Sequence, residues 1–302
     1  MRLLVIGAGG FIGAHVRDQA IMAGLEVVTA GRSERPDRGS GPRHARANLA
    51  EDSPEEIATL IDEVAPDAVV NCVGATAGDP AQLIAANVTS VCTLVKALLI
   101  AQAPARLVHL GSAAEYGAGP PGVRVTEQSV PRPVMLYGVT KLAGTRLVDL
   151  GCAAGLDAVV LRVFNPVGPG APAGSLPGRL AAQLRLALPD GGDIHLGPLH
   201  AVRDFIDVRD AADAVIAAAS VPGLRRRVLN VGSGHALPAR ALVDQLLAIS
   251  GWKGAVLEDA AGSPRGPDVA WQEADITCAA EDLGWKPCRD LAASLADLWK
   301  AT

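Results

Sequence analysis

Cysteine is scarce and spaced without pattern. Cys72, Cys92, Cys152, Cys278 and Cys288 are odd in number, scattered over 302 residues and free of any CxxC pair. That spacing excludes a disulfide framework and a zinc-ribbon site, and it fits a reducing cytoplasm. The six histidines show neither HxH nor HExxH spacing, so no metal is expected. Charge is also thin, at 20% of residues with a formal net charge of -5, which leaves no broad cationic field for a polyanion such as DNA. Single arginines can still hold a phosphate. No run of eighteen apolar residues occurs, and the opening MRLLVIGAGGFIG lacks the basic flank and cleavage site of a signal peptide, so neither a membrane nor export is expected. No GxSxG elbow surrounds Ser112, which argues against a serine hydrolase. Internal repeats and low-complexity tracts are missing too.

What is present is apolar residues, 49% of the chain, in two alternating textures. Strand-length runs (LLVIG, LEVVTA, PDAVVNCVG, ARLVHLGS, DAVVLRVF) alternate with segments of helical period ending near 23 and spanning about 80 to 101 and 135 to 154. Such alternation predicts crossover units and a parallel sheet covered on both faces, an α/β fold of the Rossmann type, doubly wound. After Phe164 the run NPVGPGAPAGSLPG changes the texture, and helices are expected near 176 to 188, 208 to 219, 237 to 250 and 290 to 300. We therefore expect a dinucleotide-binding domain over 1–165, to which about 204–232 returns, and a smaller mixed α/β substrate-binding part over 166–302.

Directly after the first strand stand Gly7, Gly10 and Gly13, spaced GxxGxxG around Phe11 and Ile12. At a strand-to-helix turn the first glycine allows the bend, the second admits a pyrophosphate to the backbone, and the third lets helix pack on strand. The helix start adds free N–H groups and the positive end of a dipole. At the end of the second strand, VVTAGRSER puts Gly31 where an acid would hold a ribose 2′-hydroxyl, and Arg32 follows, with Arg35 close by. A cation without a carboxylate suits a 2′-phosphate, so NADP(H) is favoured and NAD(H) remains possible.

One of only two tyrosines, Tyr137, stands four residues before Lys141, and positions i and i+4 share a helix face. A phenol near pKa about 10 exchanges protons poorly at neutrality. A neighbouring ammonium favours phenolate and makes the proton available. Ser112, at the end of the strand in LVHLGSAAEYG, supplies a third polar group at the sheet edge, 25 positions before Tyr137.

The ordered set GxxGxxG, GSAAEYG, YGVTK, LRVFNPVGPG, VRDFIDVRDAADAV, LNVGSG and DLGWKP resembles the extended short-chain dehydrogenase/reductases that act on nucleotide sugars, over the whole chain. Its wording is most similar to GDP-6-deoxy-mannose reductases and kindred 4-ketoreductases. The resemblance implies that Ser112, Tyr137 and Lys141 are catalytic. It implies cofactor contacts at Gly7, Gly10, Phe11, Ile12, Gly13, Arg32, Asn48, Leu49, Val73, Gly74, Ala75 and Phe164 as well as Tyr137 and Lys141. It implies substrate contacts at Ser112, Asn165, Arg203 and Arg265, with Arg265 on the nucleotide diphosphate. Ala113 and Ala114 replace the Asp-Glu pair of the family's dehydratases, so elimination of water is not expected. Departures are Asn48-Leu49 for Asp-Leu, Cys72-Val73-Gly74 for a turn containing alanine, and NVTSV for NVxGT.

The expected activity is NADPH-dependent reduction of a nucleotide-activated 4-keto-6-deoxyhexose, with Tyr137 as proton donor. A nucleotide-sugar 4-epimerase with retained NAD+ is the alternative, and a non-catalytic dinucleotide sensor is an alternative of another class. Glu115 and Tyr116 read as loop-ordering residues, with reach to the sugar an alternative for Glu115, and Asp207 and Asp210 read as helix-start residues. The helices near 87 to 101 and around Tyr137 carry apolar residues on more than one face, which burial against the sheet would also explain, and the resemblance implies that they pair in a homodimer.

Overall fold

A computed structural model of the protein describes residues 1–33, 41–189, 191–260 and 269–302. The first part runs β1 (Arg2–Ile6), α1 (Phe11–Met22), β2 (Glu26–Gly31), β3 (His44–Arg46), α2 (Pro54–Val64), β4 (Ala68–Asn71) and α3 (Pro80–Ile84). A π-helical turn (Ala85–Thr89) joins α3 to α4 (Ser90–Ile100), followed by β5 (Arg106–Ser112), a 3-10 turn (Ala113–Glu115), α5 (Leu136–Ala153) and β6 (Ala158–Val163). The second part holds β7 (Asn165–Val167), α6 (Leu176–Ala187), β8 (Ile194–His195), β9 (Val202–Asp207), α7 (Val208–Ser220) and β10 (Val228–Val231). It closes with β11 (Ala236–Pro238), α8 (Ala239–Ser250), β12 (Val256–Leu257), β13 (Trp271–Gln272), α9 (Thr277–Leu283) and α10 (Leu291–Ala301).

The large sheet has the order β3-β2-β1-β4-β5-β6-β10 and every pairing in it is parallel. Alternate residues of β1 face opposite layers. Leu3 and Val5 pack with Val16 of α1 and Val215 of α7, while Leu4 and Ile6 pack with Ile61 of α2 and Leu94 of α4. Burial on both sides is why these strands read as unbroken apolar runs. Each fully buried leucine or valine contributes about 1.5–3 kcal/mol of transfer free energy. Chain order reverses between β1 and β4, and a doubly wound sheet opens its ligand crevice at the strand ends beside such a reversal.

The structure adds a helix the periodic reading passed over. In α2, Ser53 and Glu56 form a reciprocal capping box with Pro54 in the first turn, the S-x-x-E signature of a helix start. The stretch Pro80–Ile100 is, by length and composition alone, apolar enough to cross a membrane. Here it packs against α2 and α5 and buries Asn87, Ser90 and Thr93.

A smaller sheet is centred on β9, which pairs with β7 and β13 in parallel and with β11 antiparallel. Directly after it, α7 packs on α1, and β10 pairs with β6 at the edge of the large sheet. Asp207 accepts a hydrogen bond from Arg209 N at 2.7 Å at the start of α7. Asp210 holds Arg289 Nη1 and the amides of Cys288 and Arg289. Both acids organise helix α7, as their place in the sequence suggested.

Candidate active site

At the crevice the glycines are required by close backbone approach. Gly7 has φ +84°, and a Cβ there would lie 2.9 Å from Cys72 C and Val73 N. A Cβ on Gly13 would lie 2.3 Å from Gly7 O. Gly10 caps α1 in extended conformation, without a side chain bonded across the helix start. The first amides of α1 therefore remain open to a ligand, and Gly10, Phe11 and Ile12 line the cleft. An open amide cradle at the positive end of a helix suits a dinucleotide pyrophosphate.

The cleft, of about 350 Å³, extends from this turn past Val73, Gly74 and Ala75, past Ser112, Tyr137 and Lys141, to Asn165 and Arg203. Sequence positions as far apart as 10 and 203 thus meet in one site. Gly7 and Gly13 build the turn from behind. Arg32 stands exposed directly after β2, and Asn48 is half-buried in the loop after β3. The side chains of two residues expected to contact the cofactor are packed away from the cleft. Phe164 is fully buried and packs with Tyr116, Val125 and Ala274, because apolar burial claims the ring. Leu49 packs under the sheet with Ile57 and Ile61 of α2, which leaves only its backbone to face a ligand. Arg265, like Arg35, lies outside the described residues.

Ser112 ends β5, 8% exposed. Its N–H donates to Glu115 Oε1 at 2.9 Å, and its Oγ accepts from Ala114 N at 3.2 Å. Helix α5 approaches this turn backbone to backbone, since a Cβ on Gly138 would lie 2.5 Å from Ala114 O. The glycine after Tyr137 therefore permits the contact that brings the tyrosine into the same cleft as Ser112.

Lys141, one helical turn further, is 5% exposed and its Nζ donates to Leu110 O at 2.5 Å. Burial pulls its ammonium down to about 8, against the opposing influence of Glu115 and Cys72. Burial also pushes the Cys72 thiol up to about 12, so this cleft cysteine is a thiol and no nucleophile at neutral pH. Glu115 is fully buried, and its Oε2 accepts from Thr145 Oγ1 at 2.9 Å and Arg162 Nε at 2.8 Å. It ties β5, α5 and β6 together under the site.

Two cleft residues were missed by the reading of the sequence. Asn87, in the π-helical turn, accepts from Ala75 N and donates to Ala75 O and Thr140 Oγ1. It is the first residue of NVTSV, whose later positions depart from NVxGT. The other is Arg179 of α6, which carries no motif at all. On the smaller sheet, Asn165 Nδ2 donates to Asp204 O at 2.7 Å, and Asp204 itself accepts from Ser233, Gly234 and Ala274. Among the described residues, no group of three or more His, Cys, Asp or Glu is placed to hold a metal ion.

A doubly wound sheet with a glycine turn at its switch point and a serine, a tyrosine and a lysine on the same cleft defines an NAD(P)-dependent enzyme of the short-chain dehydrogenase/reductase class. The chain belongs to the NAD dependent epimerase/dehydratase family, whose model matches residues 3–232. It is 39% identical over 307 residues to the dTDP-6-deoxy-L-talose 4-dehydrogenase (NAD(P)(+)) of Kitasatospora kifunensis, covering 99% of this chain and 95% of that protein. Among solved structures it is similar to MoeE5 in complex with UDP-glucuronic acid and NAD, with TM-score 0.84, 28% identity and coverage of 100% and 98% of the two chains. It is also similar to RMD from Pseudomonas aeruginosa complexed with NADPH, with TM-score 0.82, 25% identity and coverage of 99% and 96%.

Proposed function

We propose that this enzyme interconverts the 4-keto and 4-hydroxy forms of a nucleotide-activated 6-deoxyhexose, working as an NADPH-dependent reductase. One observation carries the reading. The charged side chains among the described lining residues are Lys141, Arg179 and Arg203, with no carboxylate among them. Such a cleft favours ligands that bring several negative charges, as a dinucleotide and a sugar nucleotide both do. The 39% relative, a 4-dehydrogenase of a dTDP-6-deoxyhexose by name, supports the sugar class.

The nicotinamide cofactor supplies or takes the hydride. The protein's residues do the rest. Tyr137 gives its hydroxyl proton to the sugar oxygen in reduction and recovers it in oxidation, Ser112 orients that oxygen, and Lys141 favours the phenolate left behind. Arg203 neutralises phosphate and Asn165 contacts the sugar side of the cleft. Arg32 favours the 2′-phosphate of NADPH over NADH. Residues 166–302 serve mainly as the substrate-binding part, in a homodimer paired through α4 and α5, whose Leu99, Ile100, Val139 and Leu150 are exposed. The unpaired cysteines accord with work in a reducing cytoplasm.

The test is to mix the protein with NADPH or NADH and a panel of dTDP-, GDP- and UDP-linked 4-keto-6-deoxyhexoses, following reduced-cofactor absorbance. Consumption of NADPH in step with one keto sugar is expected. A protein that purifies with tightly held NAD+ and interconverts 4-epimers without added cofactor would overturn the proposal in favour of an epimerase.

A further inference from the structure

Arg179 stands in the first turn of α6, and its place is set by backbone packing. A Cβ on the preceding Gly178 would lie 2.5 Å from Ala171 O and 2.4 Å from Pro172 O, so the loop before the helix is clamped onto its first turn. Ser175 caps the same turn by accepting from Gly178 N. The side chain of Arg179 lines the cleft, yet its Nε is buried and, among the described residues, has no hydrogen-bond partner. A buried charged donor left unsatisfied is costly, and native proteins rarely keep one unless something outside the chain completes it. Arg203 lines the same cleft from β9.

We propose that Arg179 is a diphosphate anchor for the sugar nucleotide, its Nε and a terminal nitrogen donating to phosphate oxygens while Arg203 engages the same group from the small sheet. A guanidinium fork matches phosphate geometry, which a lone ammonium does not. This inference rests on the reading of the cleft as a sugar-nucleotide site and adds a residue to which neither the motifs nor the comparisons assign a role. The dinucleotide pyrophosphate is served separately, by the amides of α1.

Calorimetric titration of the full-length protein, preloaded with NADPH, with dTDP, GDP and UDP tests it, using wild type, Arg179→Met and Arg179→Gln. Wild type is expected to bind at least one nucleoside diphosphate, and both variants to bind it tenfold or more weakly, with NADPH affinity held within twofold. The matching KM for the sugar nucleotide rises by a similar factor while kcat stays within threefold. Unchanged diphosphate affinity in Arg179→Gln, with NADPH still bound, overturns the anchor. So does a loss confined to NADPH affinity, which would place Arg179 at the cofactor. If wild type binds none of the three diphosphates, the sugar-nucleotide reading itself fails, a result distinguishable from failure of the anchor alone.

Discussion

Glu115 Oε2 lies 2.8 Å from Arg162 Nε, and both side chains are sealed from solvent. The other carboxylate oxygen of Glu115 holds the N–H of Ser112, so the ion pair fixes the strand end that carries the serine. The Arg162 guanidinium also stacks 4.4 Å from the centroid of the Tyr116 ring, whose hydroxyl donates to Asn230 at 2.7 Å. Substituting Glu115→Gln leaves Arg162 charged and unpaired in the interior. Breaking a buried pair in this way costs about 3–5 kcal/mol. The urea midpoint of E115Q should fall accordingly, and the double variant E115Q/R162M should recover much of the loss.

Tyr137→Phe removes the hydroxyl proposed as proton donor and keeps the ring. Turnover should fall by about 10²–10⁴-fold, the usual worth of a positioned acid. NADPH affinity, read by fluorescence titration, should stay near the wild-type value.

Lys141 gives stability an unusual slope on the alkaline side. Its ammonium is held at about 8 in the fold against 10.5 when unfolded. Below about pH 8 both states are protonated, and the folded state bears the full cost of burying the charge, about 3 kcal/mol at 1.36 per unit. Between about 8 and 10.5 the unfolded chain keeps the proton that the fold has shed, so this cost is relieved and stability rises. In Lys141→Met that component vanishes. The difference between wild-type and K141M unfolding free energies, measured by urea from pH 7 to pH 10, should therefore change with pH in this direction.

Gly13→Ala would force a methyl to within 2.3 Å of Gly7 O. We expect a cost of about 1–3 kcal/mol from overpacking and a lower NADPH affinity as α1 shifts. Gly10→Ala, whose nearest contact would be 3.4 Å, should spare thermal stability while obstructing the cofactor. Melting curves with and without NADPH separate the two effects.

Arg32→Glu puts a carboxylate where the 2′-phosphate of NADPH would come. Affinity for NADPH should drop by about tenfold or more, one charge-assisted contact being lost and a repulsion gained, whereas NADH binding should hold or improve. Parallel titrations of the two cofactors check the ratio.

The large sheet was legible because strands buried on both faces must be apolar throughout, and the helices between them show an apolar face. The meeting of Ser112, Tyr137 and Lys141 on one cleft was legible for a similar reason of locality, since Tyr137 and Lys141 are one helical turn apart and Ser112 ends a strand. Helix α2 was legible too, since Ser53 and Glu56 announce its start and Ile57, Ile61 and Val64 recur at helical spacing, yet the periodic reading passed over it. The burial of the Phe164 ring was not legible. The direction of an aromatic ring depends on which side of the strand offers a core, and no local pattern reports that. Arg179 was invisible for the opposite reason. Its significance is a missing partner in three dimensions, a property that no spacing of residues records.

Among the described residues the charged side chains lining the cleft are all cations, in a chain in which 32 carboxylic side chains outnumber 27 lysines and arginines. A net negative charge repels an anionic ligand at long range while the cations of the cleft attract it locally, so capture would favour approach at the cleft. Added salt would then slow capture before it weakens retention, with screening over about 8 Å at physiological strength. The same attraction exposes the empty enzyme to every free nucleotide in the cell. If the cleft takes a sugar nucleotide as proposed, free nucleoside diphosphates would compete for the same cations, and their level would set the share of enzyme open to substrate.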